Sequence, residues 1–394
     1  MRIVDVSAFY APSGGGVRTY VHRKLAAAAM AGHEMVVIVP GADDALDERV
    51  PGQLIATIRS PRMPVDRRYH YFGNESQLHR AIDEWAPDHV ECSSPWSSAS
   101  MVARWPGRAP RSLVMHADPL SAYAYRWFGG IASIDTIDRG FDRFWRHLRS
   151  LDSDFDLIVS ASDNFTRRLA AGGLGGVRTI PMGVEPGVFT PTRRDAALRA
   201  TILASLGLEP DALLLLGVGR YSPEKRWDLV IDAAMAAGQS RPIGLLIVGE
   251  GRARRQLMKR VAGCPHIRIG EPMGDRDQLA RLMASADALA HGCEAETFCM
   301  VAAEAHASGL ALIVPDRGGA ADHALSPGDA VYRATDPSAL RDAILQFAAV
   351  PSRARTPVRT MDAHFNELFA AYGALGAATV GSARLAASGH VPVG

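Results

Sequence analysis

The 394-residue chain is long enough for two or three domains, each with a full core. With 43 Lys and Arg against 42 Asp and Glu its net charge is +1, which speaks against bulk nucleic-acid binding, and no apolar run reaches the ~20 residues of a membrane span. Cys92, Cys264, Cys293 and Cys299 show neither C-x-x-C nor metal-site spacing, so reduced thiols in the cytoplasm are expected.

Residues 3–6 read as a short buried strand, with no signal peptide before them. The Gly-rich turn from Ser13 to Gly16 follows, then a helix over 17–31 stopped by Gly32, then a strand over 35–39. Strand, Gly loop, helix and strand in that order open a doubly wound parallel sheet. Further strands are predicted at 54–58, 89–92, 112–116 and 157–160, and helices at 75–85, 134–151 and 164–171. Residues 1–185 thus form one Rossmann-like domain, ending in a Pro- and Gly-rich linker over 179–191.

A helical connector over 195–206 leads into a second alternation. Strands are predicted at 212–218, 243–248, 266–269, 287–290 and 310–314, and helices at 227–237, 252–262, 276–284 and 298–308. Residues 186–350 thus form a second Rossmann-like domain. From residue 351 to 394 the chain is expected to return to the first domain as a helix over 361–372, then fray after Gly376. The fold class is α/β: two Rossmann-like domains facing each other across a cleft lined by strand carboxyl ends, where ligands bind.

Four stretches carry candidate chemistry. Glu296 sits in a loop at a strand's carboxyl end, and Glu304 is expected two turns into the next helix. Between them the N–H groups of Phe298, Cys299 and Met300 would face the crevice, and a helix start there favours phosphate. Two carboxylates flanking an anion site suit a ligand with hydroxyls at both ends and phosphate between, the shape of a nucleotide-sugar. Gly217 and Gly219 leave the second domain's first strand, with Arg220 and Lys225 as paired cations for a diphosphate. G-x-G-x-x-G fails at Ser222, which speaks against a dinucleotide cofactor. Gly15 and Gly16 open the first helix, and His116 and Asp118 follow a strand of the first domain and would face the cleft. Each of these has a plain structural reading as well: solvated charges, tight turns, a packed histidine, and at Cys299 a packed small side chain.

Aromatics and arginines mix between Tyr123 and Phe128 and between Phe141 and Arg149. Phe141, Phe144, Trp145 and Leu148 fall on one helical face, which suits either a lipid headgroup layer or packing on the sheet. Asp135, Asp138 and Asp142 dilute the positive charge.

In order and spacing, these motifs resemble the retaining glycosyltransferases of family 4 with the GT-B fold. The likeness rests on the Gly-rich opening, His116 with Asp118, the phrase from Ile180 to Glu185, Arg220 with Lys225, and Glu296-x7-Glu304, and it spans residues 1 to about 320. The family usually has Asn where Met182 stands and Gly where Cys299 stands. The resemblance implies that Arg220 and Lys225 hold the leaving diphosphate, that Glu296 and His116 meet the transferred hexose, and that Glu304 meets the ribose. Gly15, Gly16, Gly219 and the backbone of Phe298 to Met300 would line sugar and phosphate. It implies no metal and no cofactor, a nucleotide-sugar donor with GDP-mannose favoured over UDP-sugars, and a saccharide or lipid-linked acceptor. A nucleotide-sugar epimerase or phosphorylase on the same fold, a nicotinamide oxidoreductase and a non-catalytic binder are the competing readings.

Overall fold

A computed structural model describes residues 1–10, 16–64, 69–116, 118, 120, 124, 128, 134–348 and 357–388. Gly15, with the rest of 11–15, and most of the aromatic segment from Tyr123 to Phe128 lie outside the described residues.

The N-terminal domain runs β1 (Arg2–Val6), α1 (Gly16–Met30), β2 (Glu34–Gly41), β3 (Ala45–Val50), β4 (Gln53–Arg59), α2 (Glu75–Glu84), β5 (His89–Cys92), α3 (Ser97–Ala103) and β6 (Arg111–Met115). It continues with α4 (Ile134–Gly140), α5 (Asp142–Asp154), β7 (Leu157–Ser160), α6 (Asp163–Ala171) and β8 (Val177–Thr179). Its eight strands are ordered β3-β4-β2-β1-β5-β6-β7-β8, parallel except for β3 against β4. The central strands are apolar runs because helices cover both faces. Antiparallel β3 is exposed throughout and carries no such run, so it was not legible in the sequence.

The second domain runs α7 (Ala196–Ser205), β9 (Leu213–Val218), α8 (Trp227–Gly238), β10 (Ile243–Val248), α9 (Arg254–Arg260), β11 (Ile267–Ile269), α10 (Arg276–Ser285) and β12 (Ala288–Ala290). Then come α11 (Met300–Ala307), β13 (Ala311–Pro315), β14 (Ala330–Tyr332) and α12 (Pro337–Ala348). Its six parallel strands are ordered β11-β10-β9-β12-β13-β14. In both sheets the chain builds outward from one central strand, then returns to its other side. The reversals fall between β1 and β5 and between β9 and β12.

The last helix, α13 (Met361–Ser388), packs Phe365, Leu368, Phe369 and Tyr372 against Tyr20, Val21 and Leu25 of α1. It continues past Gly376, where fraying was expected; its Ala-rich continuation favours helix. Linker and return segment cross side by side. Val184 donates to the Arg359 carbonyl at 2.9 Å, and Met361 donates back to the Val184 carbonyl at 2.9 Å. A Cβ on Gly183 would collide with the backbone of Thr360.

The predicted helix over 134–151 is broken at Phe141, which sits between α4 and α5 with φ −104° and ψ 20°. Much of its aromatic face turns toward the sheet. Trp145, Leu148 and Leu151 are buried in the domain core, Phe141 and Phe144 pack against that core, and Asp142 pairs with Arg146 and Arg149. Among the described residues no helix is long and apolar enough to cross a membrane.

Candidate active site

The two reversal points face each other across a cavity of about 600 Å³. From the first domain Ser7, Gly16, Tyr20, Ser93 and His116 line it. From the second come Gly219, Arg220, Lys225, Glu296 to Val301 and Glu304.

The loop after β9 is staked from below. Trp227 donates its indole N–H to the Arg220 carbonyl at 2.8 Å, and its ring fills the space that Cβ atoms on Gly217 and Gly219 would need. Buried Tyr221 donates to the carbonyl of Gly270 at 2.6 Å. The loop after β12 is braced by the turn at Gly318 and Gly319, whose missing Cβ atoms leave room for Glu294, Thr297 and Phe298, and Gly319 donates to the Glu296 carbonyl at 2.7 Å. These two glycines, with Gly249 and Gly251, serve loop packing and do not line the cavity.

Two parallel ion pairs join the loops: Lys225 to Glu296, and Arg226 to Glu294, Nε to Oε2 at 2.7 Å. Burial works against the charge of Lys225, but Glu296 outweighs it and raises the ammonium's pKa. Burial likewise pushes Glu296 up, and Lys225 more than reverses it, so its carboxylate stays below the usual range. Arg220 extends into solvent, 77 % exposed, and reaches Glu224 at 3.7 Å. The two cations therefore differ in kind: one is locked to a carboxylate, the other is free to close on a ligand.

Helix α11 starts at Met300, two residues later than predicted, so Glu304 lies about one turn in. Cys299 precedes it in the left-handed region at φ 67°. The N–H groups of Phe298, Cys299 and Met300 meet no acceptor among the described residues and border the cavity, as a helix start presents them. Burial pushes the Cys299 thiol well up, with Glu296 adding to it, so it is a packed, unreactive group. Glu304 is buried and held by Arg276 at 2.8 Å. Burial raises its pKa, and Arg276 offsets part of that. Arg276 also reaches Glu185 of the linker at 3.4 Å, and Glu185 pairs with Arg23 of α1.

His116 stacks edge-on to Tyr20, with centroids 4.7 Å apart, and burial, then Lys24, bring its pKa down to about 4. Its ring is neutral at pH 7. Asp118 does not face the cleft: it is buried, pairs with Arg168 of α6 at 2.5 Å and accepts from the Leu120 N–H at 3.0 Å. The neighbouring cation decided its direction. His291, Glu296 and Cys299 bring ligand atoms within 4.8 Å of one another. A metal there would have to displace Lys225 from Glu296 and deprotonate the buried thiol. No sequence motif marks Arg226, Arg276 or Thr297. Arg226 and Glu294 flank the Lys225 and Glu296 pattern, which is the only local signal for them.

Residues 14–188 match the family model described as Glycosyltransferase Family 4, and residues 212–349 that described as Glycosyl transferases group 1. The chain is 29% identical to a GDP-mannose-dependent alpha-(1-6)-phosphatidylinositol dimannoside mannosyltransferase of Mycobacterium tuberculosis, over 90% of each chain. It is 30% identical to a GDP-mannose-dependent alpha-mannosyltransferase of Mycolicibacterium smegmatis, over 82% of this chain and 81% of that one. In fold it is similar to sucrose-phosphate synthase of Thermosynechococcus elongatus, with TM-score 0.67, 21% identity and 99% and 100% of the two chains covered. HepE of Anabaena, solved with UDP, gives TM-score 0.64 at 14% identity, covering 98% and 100%.

Proposed function

The chain belongs to glycosyltransferase family 4 and is a nucleotide-sugar-dependent glycosyltransferase of GT-B fold; from that premise we propose that it moves mannose from GDP-mannose to a glycan hydroxyl, with retention and without a metal. The observation that carries the chemistry is the Lys225–Glu296 pair beside the open start of α11, facing His116 across the cavity. Arg220 and Lys225 bind the diphosphate and stabilise its charge as it leaves, with the free N–H groups of the α11 start beside them. Glu296 takes hydroxyls of the mannose, and neutral His116 packs against the same sugar. Glu304 takes the ribose diol. The bond from C1 to phosphate breaks, C1 bonds to the acceptor oxygen on the same face, and the acceptor proton passes to the leaving diphosphate. Closure of the two domains excludes water, which would otherwise hydrolyse the donor.

Donor identity rests on the two GDP-mannose-dependent relatives. A lipid-linked mannoside is the acceptor of this reading, and Trp96 and Phe128, each 40% exposed beside Phe144 and Phe141, are the surface that meets lipid. Thermal shift across nucleotide-sugars tests the donor: GDP-mannose at 100 times its Kd should add about 2.7 kcal/mol. A shift with UDP-sugars alone would overturn it. The product's anomeric configuration by NMR tests retention, and activity in EDTA tests metal independence. Sedimentation with anionic liposomes at low and high salt tests the lipid contact, which absence of salt-sensitive binding would remove.

A further inference from the structure

The reversal point of the first sheet, between β1 and β5, has no assigned ligand group. Two serines end those strands. Val6 pairs with Cys92 in register, so Ser7 and Ser93 come next, side by side, on the face that carries Asp5 and Glu91. The Ser93 N–H donates to the Val6 carbonyl at 3.1 Å, which holds the two strand ends together. Both serines line the cavity, across from Lys225 and Glu296.

Their hydrogens are disposed in opposite ways. Ser93 Oγ donates to Asp5 Oδ1 at 2.7 Å, with Glu91 Oε1 at 3.3 Å. Asp5 and Glu91 are fully buried and share the buried ammonium of Lys24. Two carboxylates with one ammonium between them commit the Ser93 hydrogen inward, so Ser93 offers the cleft only lone pairs. Ser7 is 1 % exposed, and its Oγ has no hydrogen-bond partner among the described residues. Its hydrogen is unspent, and Ser7 lines the cavity that a ligand hydroxyl would enter. An unpaired buried hydroxyl is unfavourable, so a partner there is favoured.

We infer that Ser7 and Ser93 form a subsite for one alcohol O–H of a sugar at the reaction centre, which donates to Ser93 and accepts from Ser7. The inference rests on the glycosyl-transfer reading. A carboxylate or ether oxygen would satisfy Ser7 but set lone pair against lone pair at Ser93. An ammonium could donate to both oxygens but has no lone pair for the Ser7 hydrogen, which would stay unspent. The hydroxyl belongs either to the transferred hexose or to the acceptor, and Asp5, Glu91 and Lys24 act through Ser93 as positioning residues.

The test uses Ser7→Ala and Ser93→Ala in the full chain, with Ser93→Thr as the variant that keeps the hydroxyl. Affinities for GDP and GDP-mannose are measured by calorimetry, and GDP release is measured with and without methyl α-D-mannopyranoside. GDP affinity should be unchanged in all three. Each alanine variant should lose about tenfold, the scale of one neutral hydrogen bond, while Ser93→Thr retains wild-type values. Loss of the extra affinity for GDP-mannose over GDP assigns the hydroxyl to the transferred hexose. Unchanged donor affinity with less glycoside-dependent GDP release assigns it to the acceptor. The melting temperature of Ser7→Ala should hold or rise, because no hydrogen bond is lost; a structural role would lower it. If Ser93→Ala fails to fold, Ser7→Ala decides alone. Wild-type binding and GDP release in the alanine variants overturn the subsite. A wild-type protein that binds no nucleotide-sugar overturns instead the reading on which it rests.

Discussion

Thr297 Oγ1 donates to the carbonyl oxygen of His116 at 2.9 Å, from one domain to the other across 181 positions of sequence. The bond ties the loop carrying Glu296 to the strand end carrying His116. A second clasp lies nearby: Gly318 donates to Asn164 Oδ1 at 3.1 Å, and the Asn164 N–H donates to Asp322 at 2.9 Å. These contacts bridge the two domains beside the cavity. Thr297→Val removes one hydrogen bond and keeps the shape, so kcat/KM should fall about five- to tenfold with little change in folding. Small-angle scattering should show a more open average form. Unchanged kinetics would mean that the bond has no part in closure.

Arg220 and Lys225 should separate when each is replaced by Ala. Both should lose turnover by roughly 100-fold or more, as for a preorganised charge contact. Lys225→Ala strips Glu296 of its cation in a site where Lys225 is 13 % exposed, whereas Arg220 is 77 % exposed and its partner Glu224 keeps the Ser222 hydroxyl at 2.6 Å. The expected destabilisation for Lys225→Ala is about 3 kcal/mol, the low end for breaking a buried pair, and near zero for Arg220→Ala. Urea unfolding checks this; equal midpoints would show that the Lys225–Glu296 pair is not a structural tie.

Glu304 and Glu296 should titrate apart. Burial raises Glu304, with Arg276 offsetting part, whereas at Glu296 Lys225 overcomes burial and lowers it. On acidification Glu304 protonates first and donor KM rises; kcat falls only once Glu296 protonates at lower pH. The stability contribution of Glu304 is full below its unfolded pKa of ~4.3 and lost as pH rises through its raised folded value; that of Glu296 is present above ~4.3 and lost as pH falls through its lowered one. Arg276→Ala removes the offset and should move the KM limb to higher pH. Profiles of kcat and KM for both proteins check this, and coincident limbs would remove the division between ribose and hexose.

Buried neutral histidines should make the protein acid-sensitive. Burial lowers His89 and His364 to about 3, and His116, His291 and His323 to about 4. As pH falls below ~6.5 the unfolded chain takes up protons that these groups refuse, so stability present above ~6.5 is lost toward their folded values, at about 1.4 kcal/mol per pH unit for each histidine. The melting temperature should drop steeply between pH 6.5 and 5. A flat profile over that range would show that the rings are solvated.

Cys299 should be silent to alkylation and improved by glycine. Cys92, Cys293 and Cys299 are buried and Cys264 is half-buried, so iodoacetamide on the native protein should mark Cys264 alone, as mass spectrometry would show. Cys299→Gly relieves a left-handed backbone worth roughly 1 kcal/mol and should keep turnover. Labelling of native Cys299, or a lower melting temperature for the glycine variant, would contradict this.

Much of the fold was legible because a parallel sheet covered on both faces writes its strands as apolar runs, as at Met35 to Val39 and Leu213 to Leu216. β3 was not, because an exposed antiparallel edge needs no such run. The break at Phe141 was not either: an apolar stripe continues across it, and only the packing of Trp145 and Leu148 shows which way that stripe turns.

By itself the sequence determined the two alternations, the loops that carry Arg220, Lys225, Glu296 and Glu304, and the family pattern they make, because local period and spacing specify those. The tertiary structure alone decided partners: Glu304 to Arg276, Asp118 to Arg168, Thr297 to His116, and Ser7 beside Ser93. Spacing along the chain carries no information about which strand lies next to β1. That order follows from how the helices cover the sheet, and a side chain's charge, direction and free hydrogen follow from the neighbour that the order supplies.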